Sequence, residues 1–354
     1  MQKHSWYSSH AERCSVIQRV AGIANAATRS TRFRPLTPRN AVRLALGAVF
    51  LASAAAHADE GGAPFWLSGS YFFSAAVPNP PGWYVPTQFY YYNGNSHRDK
   101  TFQRGDTVNL GLSADLQFAF ITPTWAPNQV WFGGQPSFSM TLGGGRNSTS
   151  ADISIVTETG AQTLNRNDVI WGGMDLYPQA QIAWNKGYNN WMTYITGDIP
   201  TGAYESNRLA NIGLGHGAID AGGAYTYFNT KGGFETSAVL GFTYNMENSS
   251  TNVRSGVDSH LDFDVAQFLS DHFHVGVVGY VYYQLSGDSG SGNRAGAFKS
   301  QVASLGPEVG YVFTAFGAQW YANLRGYWEF WAQNRLEGHA MYLTVSIPLQ
   351  PPKK

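Results

Sequence analysis

The residue types able to do chemistry in this 354-residue chain fall into a few short arrangements. Gly287-Asp288-Ser289-Gly290 echoes the surroundings of a serine nucleophile. Such a serine needs a base within hydrogen-bonding reach, itself oriented by a third group. No upstream segment has the form of the matching histidine, so the run reads as a Gly/Ser/Asp loop. Ser96-His97 sets a hydroxyl beside an imidazole, again in a loop. His272-Phe273-His274 places two imidazoles on one side of an extended chain, the beginning of a metal site, but no third ligand stands in register. Asp258, Asp262 and Asp264 would suit Ca²⁺ near a rim, yet a solvated strand face explains them with less. Gly213-Leu214-Gly215-His216-Gly217 has neither a parallel-sheet context nor a following helix, so it is not a dinucleotide fingerprint. These readings leave no catalytic residue, no metal and no cofactor.

A second set of charged and aromatic residues is scattered, but shares one phase of an alternating pattern. Asp115, Asp175, Glu235, Asp262, Asp264, Glu308 and Glu329 fall on it, with Arg325 as the clearest cation and Tyr280, Tyr282, Tyr321 and Tyr327 as aromatic surfaces. So many carboxylates in a dry core would be prohibitive unless each were paired. A water-filled or ligand-lined interior tolerates them. The expectation is a lumen lined by these side chains, passing small aromatic or amphipathic molecules.

The elements that would position them are strands of period two. Charged residues are 13% of the chain, against about a quarter in soluble domains, while aromatics reach 15% and glycines number 40. In 108–120 the even positions (Val108, Leu110, Leu112, Ala114, Leu116, Phe118, Phe120) are apolar, and Asn109, Ser113, Asp115 and Gln117 alternate with them. The even face is expected toward lipid and the odd face toward the lumen. Segment 318–330 repeats the pattern, with Trp320, Leu324, Trp328 and Phe330 opposed to Gln319, Asn323, Arg325 and Glu329. Thirteen such residues at ~3.3 Å each reach about 43 Å, enough to cross a ~25 Å apolar band at a tilt. No later stretch is long and apolar enough for a transmembrane helix, which needs about 20 residues.

Twelve strands are expected, near 83–94, 107–121, 129–143, 168–184, 188–200, 212–229, 232–246, 257–269, 272–285, 299–313, 317–331 and 338–348. Tight turns follow the fourth, sixth, eighth and tenth; longer polar loops (144–167, 201–211, 247–256, 286–298) follow the third, fifth, seventh and ninth. Short periplasmic turns and long exterior loops are the habit of outer-membrane barrels. The fold class expected is therefore all-β, a closed antiparallel transmembrane β-barrel of about 12 strands (83–349). Tryptophans 171, 184, 191, 320, 328 and 331 fall near strand ends, where an interfacial girdle would sit.

The formal charge of +0 is unevenly distributed. Residues 1–58 hold eight basic residues and one acid, leaving 15 basic and 22 acidic in 59–354, a net of −7. Nucleic acid needs a basic footprint, so it is excluded as a partner. Arg39 and Arg43 precede the apolar run Leu44–Ala56, which ends in Ala56-His57-Ala58, a small-x-small pattern. Cleavage is expected between Ala58 and Asp59, removing residues 1–58 and with them the single cysteine, Cys14. Residues 59–82 are Pro-rich and too irregular to cross lipid; they would either plug the barrel or form a periplasmic lead-in. Residues 350–354 form a tail.

Certain runs resemble a known family. Phe65-Trp66-Leu67-Ser68-Gly69-Ser70 with Pro80-Pro81-Gly82-Trp83-Tyr84 is similar to the start of the outer-membrane proteins labelled "MetA-pathway of phenol degradation". Pro200-Thr201-Gly202-Ala203-Tyr204, Arg208-Leu209-Ala210-Asn211-Ile212-Gly213, Gly276-Val277-Val278-Gly279-Tyr280, Leu324-Arg325-Gly326-Tyr327-Trp328-Glu329-Phe330 and Ala332-Gln333-Asn334-Arg335 extend the resemblance across 61–349. It implies an outer-membrane transporter associated with aromatic catabolism, and supplies no catalytic residues. One departure is the end of the last strand, Ile347-Pro348-Leu349, where such barrels commonly close on an aromatic. The reading is an exported outer-membrane channel for passive uptake of small hydrophobic or aromatic compounds. Its partners would be outer-membrane lipid, the solute and the barrel-assembly machinery. The alternatives are a lipase-like barrel enzyme, which would draw on His97, and a receptor or adhesive barrel without solute flux.

Overall fold

The computed structural model describes residues 65–349 apart from 97–100, 105–106, 158–159, 294–295 and 298. The Ala58–Asp59 junction, the Leu44–Ala56 run, Cys14, His97, residues 59–64 of the lead-in and the 350–354 tail lie outside the described residues.

Fifteen strands form one sheet: β1 (Gly82–Asn95), β2 (Thr101–Arg104), β3 (Thr107–Ile121), β4 (Thr124–Ala126), β5 (Gln135–Thr157), β6 (Gly160–Gly173), β7 (Tyr177–Lys186), β8 (Asn189–Asp198), β9 (Ala218–Asn229), β10 (Phe234–Asn245), β11 (Asp258–Phe268), β12 (Phe273–Gln284), β13 (Gln301–Ala315), β14 (Ala318–Gln333) and β15 (Glu337–Pro348). The sheet closes because β15 pairs with β1, from Tyr84↔Pro348 to Asn95↔Glu337. Three pairs of segments are single staves with a break. β1 and β2 both pair with β3, β3 and β4 both lie between β1 and β5, and β6 and β7 both pair with β5. The closed wall is therefore an antiparallel barrel of twelve staves, and closure leaves no edge unpaired in lipid. Pro123, which has no N–H for the ladder, sits in the β3–β4 break. The tight turns at one rim use glycine where the backbone turns left-handed: Gly187 (φ 67°) after β7 and Gly317 (φ 73°) before β14.

Burial is inverted relative to a soluble protein. On β10, Leu240, Phe242 and Tyr244 are 48–49% exposed, while the alternate Glu235 and Val239 are 0–1% exposed. An exposed apolar band with charges behind it is stable only against lipid. At the short-turn rim, Trp83, Trp125, Phe138 and Trp131 form a contiguous exterior aromatic chain. Trp171, Trp328 and Trp331 are exposed toward the other rim, so interfacial aromatics mark both ends. No described helix is long and apolar enough to cross a membrane.

Two expectations are corrected. Residues 144–167 are a tall hairpin and not a loop: β5 continues to Thr157 and β6 begins at Gly160, paired throughout from Gly144↔Gly173 to Thr157↔Gly160. Above the lipid a strand needs no apolar face, and here Ser148, Ser150 and Asn167 face out while Asn147 and Thr149 face in. With both faces polar, the run reads as a loop. The second correction is the phase of β3. Leu112, Ala114, Leu116, Phe118 and Phe120 are 4–8% exposed and face inward. Ser113, Asp115 and Gln117 face outward, and Asp115 pairs with outward Arg146 at 2.7 Å. Asp115 therefore does not line the lumen. The alternation was read with the right period and the wrong hand.

Candidate functional site: the barrel interior

The interior is occupied from below by the irregular stretch that precedes β1. Phe65 and Trp66 are buried and Ala76 is fully buried, and the segment is tied to side chains projecting from many staves. Asp262 on β11 accepts three hydrogen bonds, from Trp66 Nε1 (3.3 Å), the Gly69 amide (3.0 Å) and the Tyr71 amide (3.2 Å). Across the lumen, Arg325 on β14 donates to the Gly69 carbonyl through Nε (3.2 Å) and Nη2 (3.1 Å), and Tyr327 donates to the same oxygen at 3.2 Å. Tyr342 donates to Ser68 O at 2.8 Å. Further along, Ser74, Ala75 and Ala76 donate their amides to Glu235, Ser237 and Thr226. A chain without regular structure must find partners for its backbone groups, and this one finds them on the barrel wall. Rings add to the grip: Trp66 stacks on His260 at 3.6 Å, Phe73 lies 4.5 Å from His274, and the Arg325 guanidinium sits 3.9 Å from the centre of Phe72.

Among the other residues singled out from the sequence, Tyr321 is hydrogen-bonded with His274 Nε2 at 3.0 Å. Glu308 accepts from Asn323 Nδ2 at 3.1 Å. Asp264 is fully buried between Glu235 and Glu308 and receives no donor on either oxygen. Nearer the opposite rim, Glu329 accepts from Tyr92 OH and Tyr280 OH, both at 2.8 Å, and from the Gly338 amide. Arg335 lies 4.7 Å from the centre of the Tyr282 ring. Asp175, in the β6–β7 break, accepts the amides of Gly202 (2.6 Å) and Leu214 (2.8 Å). Eleven of the twelve side chains thus face the interior or its loops, with Asp115 outside. They do not converge on one centre. Asp258 takes Asn245 Nδ2, Asp262 takes the inserted segment and Asp264 stands with Glu235, so the three aspartates of β11 have separate surroundings. His274 faces in, while His272 packs on outward Tyr311, so the imidazoles diverge.

The interior also contains residues that the pattern reading missed. Asp220 meets His260 Nε2 at 3.0 Å, both side chains fully buried; Asp220 lies in the inward phase of β9, and that phase was the available signal. Asp168 holds the 199–217 loop by accepting from Arg208 (2.7 Å through Nη2) and from the Leu209 and Ala210 amides (3.1 Å each). This partnership keeps the Arg208 guanidinium above its ordinary pKa. The loop folds inward, and Leu209 and Ile212 join Tyr90, Tyr92, Leu112, Leu116, Phe118 and Tyr280 in one apolar cluster. The interior is therefore lined unevenly. Asp220, Glu235, Asp262, Asp264 and Glu308 project from β9, β10, β11 and β13, and Arg325 from β14 across the lumen, whereas the inward face of β3 is apolar throughout and joins the tyrosines of β1, β12, β14 and β15 in one cluster.

A protein-family model described as putative MetA-pathway of phenol degradation matches residues 96–345. Among solved structures, an outer membrane channel from Pseudomonas putida F1 superposes with a TM-score of 0.58 at 14% identity, covering 76% of this chain and 96% of that one. The translocator domain of autotransporter NalP from Neisseria meningitidis gives 0.36 at 14% identity, over 77% and 90%. A Pseudomonas aeruginosa FadL homologue gives 0.35 at 11% identity, over 84% and 100%. No curated protein matches the chain.

Proposed function

The chain belongs to the family described as putative MetA-pathway of phenol degradation, and from that premise we propose that it is an outer-membrane channel for passive entry of small hydrophobic or aromatic compounds. The observation that carries this reading is the inverted strand. In a lipid-embedded wall the inward face is free to be polar, yet β3 turns Leu112, Leu116, Phe118 and Phe120 inward against Tyr90, Tyr92 and the loop residues Leu209 and Ile212. Such a wall favours solutes that leave water readily. Covering about 100 Å² of an aromatic ring is worth about 2.5 kcal/mol, which corresponds to a dissociation constant of about 10 mM. That is enough to attract a solute and weak enough to release it, the balance conduction requires.

The test is uptake of radiolabelled phenol and toluene by cells lacking the protein, complemented with the native chain or with Leu116→Asp. The native chain raises uptake and the variant, folded by heat-shift on gels, does not. Equal uptake with and without the native chain defeats the proposal. Single-channel recording of the purified protein in planar bilayers supplies the second readout, and a folded protein giving neither conductance nor uptake removes the channel reading.

A further inference from the structure

We infer that Glu235, Asp264 and Glu308 form an anion-rejecting constriction inside the barrel, so that its aromatic solutes are neutral or cationic and those bearing a carboxylate are excluded. This deepens the channel reading and rests on it. The three side chains come from β10, β11 and β13 and are 0–1% exposed. Their oxygens are short of donors. Glu235 Oε1 accepts from the Ser74 amide and the Ser237 hydroxyl, and Glu308 Oε2 accepts from Asn323. Glu235 Oε2, Glu308 Oε1 and both oxygens of Asp264 receive no hydrogen bond.

Basic groups nearby do not complete the set. Arg325 stands in register with Glu308, but its hydrogen bonds go to Gly69 O, Ser70 O, Asn323 Oδ1 and Thr344 Oγ1. His274 Nδ1 is 4.0 Å from Glu308 Oε1 and makes no hydrogen bond. The imbalance extends through the interior. Among the described residues nine buried carboxylate side chains stand with two buried guanidinium groups, three buried imidazoles and no buried lysine. Carboxylates gathered out of bulk water take up protons or require a counter-charge, and at a pH where they ionise a passing cation supplies one. An incoming carboxylate adds another like charge in a low-dielectric passage, where repulsion is least screened.

The experiment is reversal-potential measurement on the full-length protein in planar bilayers under a KCl gradient, then with benzylammonium chloride and potassium benzoate as solutes matched in size. Potentials of several kT in such a cleft predict K⁺ favoured over Cl⁻, and benzylammonium over benzoate, by about tenfold. Glu235→Gln/Asp264→Asn/Glu308→Gln brings both ratios toward unity. Asp264→Asn alone, which removes no hydrogen bond to the inserted segment, lowers them part of the way, and outward Asp115→Asn leaves them unchanged. A native channel with no preference or with anion preference overturns the inference while leaving the channel intact, as does a triple variant that keeps the native ratios. A native protein that conducts nothing overturns the channel reading and this inference with it.

Discussion

Asp262 makes three hydrogen bonds to the inserted segment, as Arg325 does from across the lumen, and its removal has a calculable consequence. Asp262→Ala withdraws the acceptor for Trp66 Nε1, the Gly69 amide and the Tyr71 amide at once. Hydrogen bonds to a charged group are worth about 1.5–3 kcal/mol each, and bonds sharing one carboxylate are not additive. Taking the low end for the set gives about 4 kcal/mol, or about a thousandfold in the docked–undocked equilibrium of residues 66–71. Ser74, Ala75 and Ala76 keep their partners, while Ser68 and Gly69 keep only Tyr342, Arg325 and Tyr327, so the first half of the segment loosens and the second half holds. The assay places Ser68→Cys, a small change at a 9% exposed position, in a Cys14→Ser background and measures the rate of labelling by a bulky maleimide. The expected rise is about a thousandfold for Asp262→Ala. Asp262→Asn, which keeps one acceptor oxygen, gives about a hundredfold by the same reckoning. Equal labelling rates in a barrel that still shows its heat-shift on gels would refute the assignment of Asp262 as the anchor.

Three further outcomes are expected. Asp168→Asn weakens the hold on Arg208 and the two amides beside it, so trypsin cuts after Arg208 about tenfold faster; an unchanged digestion rate would show that the loop is held elsewhere. Leu324→Arg, 43% exposed on the lipid face of β14, costs about 2–4 kcal/mol of folding free energy in vesicles, whereas Ser113→Arg, outward on β3 beyond the apolar band, costs about 0–1. Equal costs in urea titrations would contradict the phase assigned to β3. Glu329→Ala strands two tyrosine hydroxyls and the Gly338 amide, lowering stability by about 3 kcal/mol, read as the unfolding midpoint in detergent; an unmoved midpoint would mean that water replaces the carboxylate at no cost.

The twelve staves were legible because lipid on one side enforces a period of two wherever the wall crosses the apolar band, as on β10 and β14. Where the wall rises beyond that band the constraint lapses, and Ser148, Ser150 and Asn167 give no sign of the β5–β6 hairpin. Alternation shows which residues share a face, but not which face looks inward. Asp115 was misplaced for that reason, since β3 has an apolar inner face with its polar residues outward at the level of Arg146. The site was legible by phase and illegible by partner. Asp262, Glu235 and Arg325 do project into the interior, but what they hold is a segment 161–256 residues away in sequence, without periodicity of its own. Only closure of the barrel brings them together.

The phase of β3 and the inserted segment bear on one another. If the interior were lined by carboxylates and tyrosines alone, as the sequence pattern suggested, an apolar β3 face inside it would be a defect, and the inserted segment an obstruction to every solute alike. Instead Asp262 and Glu235 on one side and Arg325 across the lumen grip the segment between them through hydrogen bonds. Such bonds, each with a charged partner, are worth about 1.5–3 kcal/mol apiece. The inward face of β3, from Leu112 to Phe120 beside Leu209 and Ile212, offers water no hydrogen bond and a ring an apolar surface. On the channel reading proposed above, the polar side chains then hold the inserted chain and sort solutes by charge, and the apolar face supplies the affinity for a ring.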